Sequence, residues 1–460
     1  MLPTSSAPAS PLIAQLRADL DGRVITPGDE GYDQARLGFY HGFTQRPGAI
    51  VRPGDADQVG RVITSAVEAG VELAVRSGGH SVAGHNLSDG GLVLDLSDMR
   101  TIEIDAERRT AWVQAGATAG EFTNAAGAHG LATGFGDVGS VGVGGITLGG
   151  GVGFLSRKYG LTIDSLLAAE IVTAAGELLH VDADNHPDLF WAIRGGGGNF
   201  GVVTRFLFAL HEVDEVVGGM LILPATPEVI ASFVAEAAAA PDELSTIASV
   251  MVAPPLPFLP EEVHGKLVLM VTLVHAGDIA AGEKVVERIR ALARPLVDMV
   301  RPMRYPEMYE GPEPPHPAGV ASRNLFVDGL DRPAAEAIVE HLRTATAPMA
   351  AVQLRVLGGK VARVPVEDTA YAHRNRAIMV NIAAIYEQLD DAAAHEAWAE
   401  RAAAAVADGD LEGYVGFLTD DGEASVHAAY PGRTWDRLRA IKGRYDPGNV
   451  FHRNHNIPPG

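Results

Sequence analysis

The chain has 460 residues, 47% of them hydrophobic and 20% charged, and a formal net charge of −22. That composition fits a soluble protein of two domains or one large composite unit and opposes a nucleic-acid partner, whose phosphates need a basic face. There is no cysteine, which excludes disulfides, thiolate metal sites, iron–sulfur clusters and cysteine nucleophiles. The opening Met1-Leu2-Pro3-Thr4-Ser5-Ser6 carries neither a basic region nor a long apolar run, and the longest apolar stretch, residues 267–274, is far too short for a bilayer. We therefore expect a cytoplasmic protein with no membrane partner.

In chain order, Val59, Val62, Ile63, Ala66 and Val67 recur at helical spacing. They predict a helix over 55–69, with Asp55 and Asp57 at its positive end and Gly70 to stop it. A strand at 71–75 runs into Arg76-Ser77-Gly78-Gly79-His80-Ser81, followed by Val82-Ala83-Gly84-His85. Its paired glycines let successive backbone N–H groups converge on one anion. Residues 91–96 predict a strand, and 101–104 with 110–114 a hairpin. Thr118 and Glu121 form a capping box for a helix ending near Gly130. Gly139, Gly142, Gly144, Gly145, Gly149, Gly150, Gly151 and Gly153 follow so densely that we expect neither helix nor stable strand there, but backbone pressed against something. Residues 171–173 and 177–181 pair across 174–176. A short helix at 187–193 leads into Arg194 and the run Gly195-Gly196-Gly197-Gly198.

After about residue 215 glycine thins. Strands at 220–223, 245–252 and 266–274 alternate with Ala-rich helices at 279–293, 333–345 and 391–407, and proline breaks mark 254–260 and 312–317. A helix from Trp435 precedes Tyr445-Asp446-Pro447-Gly448-Asn449 and an extended tail. The expected class is α+β.

Two phosphate motifs fail on context. Gly196, Gly198 and Gly201 spell G-x-G-x-x-G, but the motif opens Val202-Val203-Thr204, a strand, where a dinucleotide fold needs a helix. No Gly-Lys-Ser/Thr follows any glycine loop. His80 has three readings: a structural histidine, half of a metal pair with His85 at a spacing no common metal site uses, or the attachment point of a cofactor, since neutral imidazole is a nucleophile near pH 7.

Arg76-Ser-Gly-Gly-His80-Ser, Gly90-Gly91-Leu-Val-Leu-Asp95-Leu, Val141-Gly-Val-Gly-Gly145-Ile-Thr-Leu-Gly149-Gly-Gly151, Asp188-Leu-Phe-Trp191-Ala-Ile-Arg194-Gly-Gly-Gly-Gly-Asn199-Phe-Gly201 and Tyr445-Asp-Pro-Gly-Asn449-Val-Phe resemble the berberine bridge enzyme-like flavoproteins of the vanillyl-alcohol oxidase / PCMH superfamily. The resemblance spans almost the whole chain. It implies a PCMH-type FAD-binding domain at 1–214, an inserted substrate domain at 215–424 made of an antiparallel sheet covered by helices, and a segment at 425–460 that returns to the first domain. His80 takes the position of the 8α-histidyl bond to FAD. The second bond of many relatives comes from a cysteine, and Val138 stands at that position here, so a cysteinyl link is chemically impossible. Around the cofactor the resemblance places Arg76, Ser77, Gly78, Gly79, Ser81, Gly84, His85, Val141, Gly144, Gly145, Gly149, Val202, Asn454 and Asn456. No metal is implied.

Val141 matches a position described as a gate for dioxygen, and its small side chain favours an oxidase. Asn454-His455-Asn456-Ile457 is similar to the family's Asn-Gln-Asn-Ile ending, with His455 as the departure and a possible acid or base. Tyr414-Val415-Gly416-Phe417 resembles the family's Tyr-x-Asn-Tyr strand, with Gly416 and Phe417 as departures. Tyr371 and His373 fall where relatives place groups facing the substrate. Tyr414, His373, Tyr371 and His455 are thus the catalytic candidates. The expected activity is hydride transfer from a small organic alcohol, sugar or amine to bound FAD and then to O₂. The alternatives are a dehydrogenase with another acceptor and a flavin-bearing binding protein with little turnover.

Overall fold

The structure, a computed structural model, describes residues 10–460 apart from 21, 256, 312–315, 410–411 and 420–421. The opening residues 1–6 and most of the second proline break lie outside the described residues. Among the described residues no helix is long and apolar enough to cross a membrane.

Two small sheets occupy the first half of the chain. Val24–Ile25, Ala49–Val51, Leu92–Asp95 and Leu73–Arg76 form the first, in that order, and the last two pairings are parallel. Leu92–Asp95 is buried along its whole length, as a parallel strand covered on both faces must be. The helix Ala56–Ala69 packs Val59, Val62, Ile63 and Ala66 inward. Asp55 caps it by accepting from Gln58 N at 2.8 Å, and Gly70, at φ 62°, turns the chain out of it. The second sheet is antiparallel: Ile102–Asp105, Thr110–Gln114, Val202–Ala209, Leu166–Val172 and Leu178–Asp182. Phe206 and Phe208 point from its centre into the core.

The middle of the chain builds one eight-stranded antiparallel sheet. Its main path is Val297–Asp298, Glu215–Pro224, Leu267–His275, Leu244–Val252, Met349–Val356, Ile378–Tyr386 and Gly319–Val327, with Arg301–Arg304 also on Glu215–Pro224. Helices Pro227–Ala239, Arg332–Arg343 and Ala392–Val406 bury Phe233, Ile338 and Trp398 in one core with one face of it. The chain then returns: Leu418, Val426, Leu438, Phe451 and Ile457 belong to the same core as the first two sheets. The fold is mixed α+β, as expected.

Three readings needed revision. Val143–Gly149 is an α-helix inside the glycine-rich stretch that we expected to hold none. Glycine costs a helix about 1 kcal/mol per residue, but Gly144 lies so close to Ala115 O and Ser77 that a Cβ would meet them at 3.1 and 3.2 Å, and tertiary packing overrides propensity. Val415–Phe417 is a 3₁₀ turn rather than a strand. Strands Gly319–Val327, Met349–Val356 and Ile378–Tyr386 and helix Pro227–Ala239 were not foreseen.

Candidate active site

The loop after Leu73–Arg76 leaves the carboxyl end of a parallel strand, where open sheets of this kind place their ligands. It enters a cavity of about 590 Å³ lined by Arg76, Ser77, Gly78, Gly79, His80 and Ser140, among others. Gly79 takes φ 73°, a conformation that glycine adopts without strain. A Cβ on Gly78 would overlap the backbone of Gly142, so the two glycine segments can only meet as bare backbone. Ser77 Oγ donates to Ala115 O at 2.6 Å. The N–H groups of Gly78, Gly79 and His80 make no hydrogen bond among the described residues, which leaves a row of donors at the cavity.

Arg76 does something else. Its Nη2 donates to Asp95 Oδ2 at 2.8 Å and to Ala35 O at 2.6 Å, and Nη1 to Leu37 O at 3.2 Å. Burial works against the Asp95 carboxylate, but Arg76 and Arg52 hold it below its usual range. The guanidinium is committed to bracing the loop.

His80 lies stacked on Phe39, with centroids 4.3 Å apart and planes 20° apart, and its Nε2 is 3.1 Å from Ser140 Oγ. Burial lowers its pKa to about 4; the Ser140 backbone opposes that shift and His316 adds to it. The ring is neutral at pH 7. His85 is also neutral, pushed down to about 3 by burial and the neighbouring His455 and Arg453. Its ring meets His455 edge-on at 4.7 Å. Ser81 Oγ accepts from His85 N at 3.2 Å and Gly84 N donates to Ser81 O at 3.2 Å, so these residues fold the turn after the loop. Among the described residues no cluster of three or more metal-ligating side chains exists.

The other expected cofactor residues lie outside this cavity's lining. Val141 O accepts from Ala119 N, and Gly144 N donates to Ala115 O. Gly145 has open space where a Cβ would stand. Gly149 ends its helix under Tyr414, and Val202 opens the central strand of the five-stranded sheet. The tail docks on the Gly195–Gly198 run through side-chain amides. Asn199 Nδ2 donates to His455 O at 3.2 Å, Ile457 N donates to Asn199 Oδ1 at 2.9 Å, and Asn454 Nδ2 donates to Gly198 O at 3.2 Å. The Oδ1 atoms of Asn454 and Asn456 are buried without a hydrogen-bond partner among the described residues.

Of the catalytic candidates, Tyr371, His373 and Tyr414 converge on a void of about 10 Å³, room for one water; His455 stands apart in the tail. Tyr414 OH accepts from Gly151 N at 3.0 Å. His373 is held on both nitrogens, Nε2 by Ala429 O at 3.0 Å and Nδ1 by Glu412 at 3.2 Å. Tyr371 OH is buried with no hydrogen-bond partner among the described residues. Burial raises the pKa of both tyrosines, so neither ionises near neutral pH.

Two features escaped the sequence. Arg355, from the eight-stranded sheet, binds both oxygens of Asp137 at 3.1 and 3.0 Å, Val152 O at 3.2 Å and Gln353 Oε1 at 2.9 Å. It thereby fastens the sheet to the glycine-rich segments. Beside it, the face of the sheet turned away from its helices carries an uncharged polar row, Ser249, Gln353 and Asn381, in direct cross-strand register. Nothing in the local sequence pairs Ser249 with Gln353 or Gln353 with Asn381.

Unpaired donors on a glycine loop, a neutral imidazole and orphaned amide oxygens on the returning tail suit a cofactor with a phosphate chain and a polar heterocycle. This is the architecture of a PCMH-type flavoprotein. The comparisons agree. Residues 47–182 match the family model described as FAD binding domain, and 407–458 match the one described as Berberine and berberine like. (R)-6-hydroxynicotine oxidase of Paenarthrobacter nicotinovorans is 32% identical over 481 residues, covering 99% of each chain. The solved structure of 6-hydroxy-D-nicotine oxidase from Arthrobacter nicotinovorans superposes with a TM-score of 0.85 at 27% identity, over 98% of this chain and 100% of that one. That of Physcomitrella patens BBE-like 1 gives 0.86 at 25%, over 97% and 99%. The chain belongs to the berberine bridge enzyme-like family and is an FAD-linked oxidoreductase.

Proposed function

We propose that this chain is an oxidase of small organic alcohols, sugars or amines, with FAD bound covalently through His80 alone. The observation that carries the attachment is the ring of His80. It lies in the loop cavity, neutral, with Nε2 3.1 Å from Ser140 Oγ. Gly78, Gly79 and the His80 N–H would hold the pyrophosphate, and Asn454 and Asn456 would meet the polar edge of the ring system. When bound, FAD supplies a two-electron acceptor for hydride from a C–H bond beside an O–H or N–H.

The substrate's own binding falls to the second half of the chain. The row Ser249, Gln353 and Asn381 offers uncharged hydrogen-bonding groups, with Gln353 held by Arg355 at 2.9 Å, which fits a neutral hydroxyl or amine. Tyr371 is the candidate with an unpartnered polar atom. Held protonated by burial, its hydroxyl accepts from the substrate O–H or N–H and gives its own proton to the adjoining water-sized void as that group's proton arrives. Val141 keeps the small side chain that favours dioxygen as the final acceptor.

Acid precipitation tests the attachment: the pellet stays yellow, and His80→Ala releases the colour to the supernatant. Colour lost from the unaltered protein would refute it. The activity is tested by anaerobic bleaching across alcohols, sugars and amines, followed by air. Rapid return of the colour supports the oxidase. A ring that stays bleached in air points to a dehydrogenase with another acceptor, and a ring bleached by no candidate points to a binding protein.

A further inference from the structure

Ser140 belongs to no motif, yet it faces the reactive ring. It lines the same cavity as His80, with Oγ 3.1 Å from Nε2. Phe39 fixes the plane of the imidazole from the other side. Nε2 therefore stands beside a hydroxyl, and the backbone of Ser140 is the ring's other hydrogen-bonding neighbour.

We propose that Ser140 is the positioning residue for cofactor attachment: its hydroxyl accepts from the Nε2 proton of His80 while the lone pair of Nδ1 makes the bond, and it takes up the opposite hydrogen-bonding role once the bond is made. The proposal rests on the reading that His80 is the point of attachment. The bond formed is Nδ1 to the 8α carbon of the isoalloxazine, and the bond broken is one C–H of that methyl group. The lone pair of Nδ1 makes the new bond. The electron pair of the C–H bond passes into the ring system, and the methyl proton leaves. The Nε2 proton leaves as well, which restores a neutral imidazole. Dioxygen takes the two electrons and two protons as hydrogen peroxide, so the sum is histidine plus FAD plus O₂ giving histidyl-FAD plus H₂O₂.

The requirement for a hydroxyl follows from this balance. Before attachment Nε2 is a donor and needs an acceptor; afterwards it is an acceptor and needs a donor. A serine hydroxyl serves both states by rotating, whereas a carbonyl only accepts and a methyl does neither. It also gives the departing Nε2 proton a partner at hydrogen-bond distance.

The test uses the full chain produced in riboflavin-starved cells and then given FAD. Attachment is timed as flavin absorbance in acid-precipitated pellets, and reversible binding is followed separately by quenching of flavin fluorescence. Ser140→Ala binds FAD as the unaltered chain does but attaches it on the order of 10- to 100-fold more slowly. Ser140→Thr and Ser140→Val have the same shape and differ in the hydroxyl. Threonine keeps the rate within about threefold, while valine is as slow as alanine. Equal rates for threonine and valine, or an undiminished rate for alanine, would overturn the proposal. A colourless pellet from the unaltered chain would overturn the attachment reading itself, a result distinct from either.

Discussion

The two halves of the site are built by opposite means. At the loop cavity proposed for the flavin, Gly78 meets Gly142 with no room for a Cβ, and the groups on offer are main-chain N–H donors. On the wall proposed for the substrate, three adjacent strands present side chains, Ser249, Gln353 and Asn381, paired across the sheet. A backbone cradle fixes what every cofactor of one kind needs and tolerates almost no substitution. A side-chain wall fixes what one substrate needs and can be rewritten residue by residue. Mutations on the first side should therefore remove the cofactor or the fold, and mutations on the second should change preference while the flavin stays in place.

The strongest way to break this contrast lies under the tail. Lys442 Nζ is buried against Asp446 at 2.7 Å and also donates to Asn199 O at 2.7 Å and Phe451 O at 2.9 Å. Asp446→Asn strands that ammonium and should cost about 3–5 kcal/mol, read as a fall in the urea midpoint; a loss under about 1 kcal/mol would show that the clamp is dispensable. Next in size, Gly78→Ala should cost about 1–3 kcal/mol by overpacking and should abolish FAD binding in a fluorescence titration. Retained binding would mean that the cradle can open. Smaller still, Gln353→Met should raise KM about tenfold, the equivalent of about 1.4 kcal/mol, with flavin content and visible spectrum unchanged. A spectrum that changed with it would blur the division between the halves.

The smallest effect is one of pH. His452 is raised by its hydrogen bond to Glu72, and Glu72 is lowered by the same bond. The histidine's contribution is complete below its ordinary value of 6.5 and is lost as pH rises through the raised value in the fold. The carboxylate's is complete above 4.5 and is lost as pH falls through the lowered one. Melting of His452→Asn against the parent should differ most between those two values and converge on either side. A constant difference at all pH values would remove the pair as its cause.

The same contrast decides what could be read from sequence. Glycine spacing at 76–81 and the ending at 454–457 carry backbone geometry directly, so the loop, its histidine and the family are legible in the letters. The helix Ala56–Ala69 and the hairpin strands follow from periodicity and caps. The wall is not legible, because register between Ser249, Gln353 and Asn381 is a tertiary fact. Arg76 shows the limit inside a motif: its letters suit phosphate, but Asp95 and two carbonyls take up its donors. His373 likewise fits a position facing the substrate, and yet Glu412 and Ala429 hold both its nitrogens.

The clamp of Asn199 on Ile457 joins residues 258 positions apart. In synthesis, the glycine run at 195–198 therefore waits for the whole eight-stranded sheet to be made before its partner exists. At about 5–20 residues per second the delay is on the order of tens of seconds. Through that interval the first two sheets wait with a half-built cradle, so the attachment proposed for His80 would be a late event in the life of the chain.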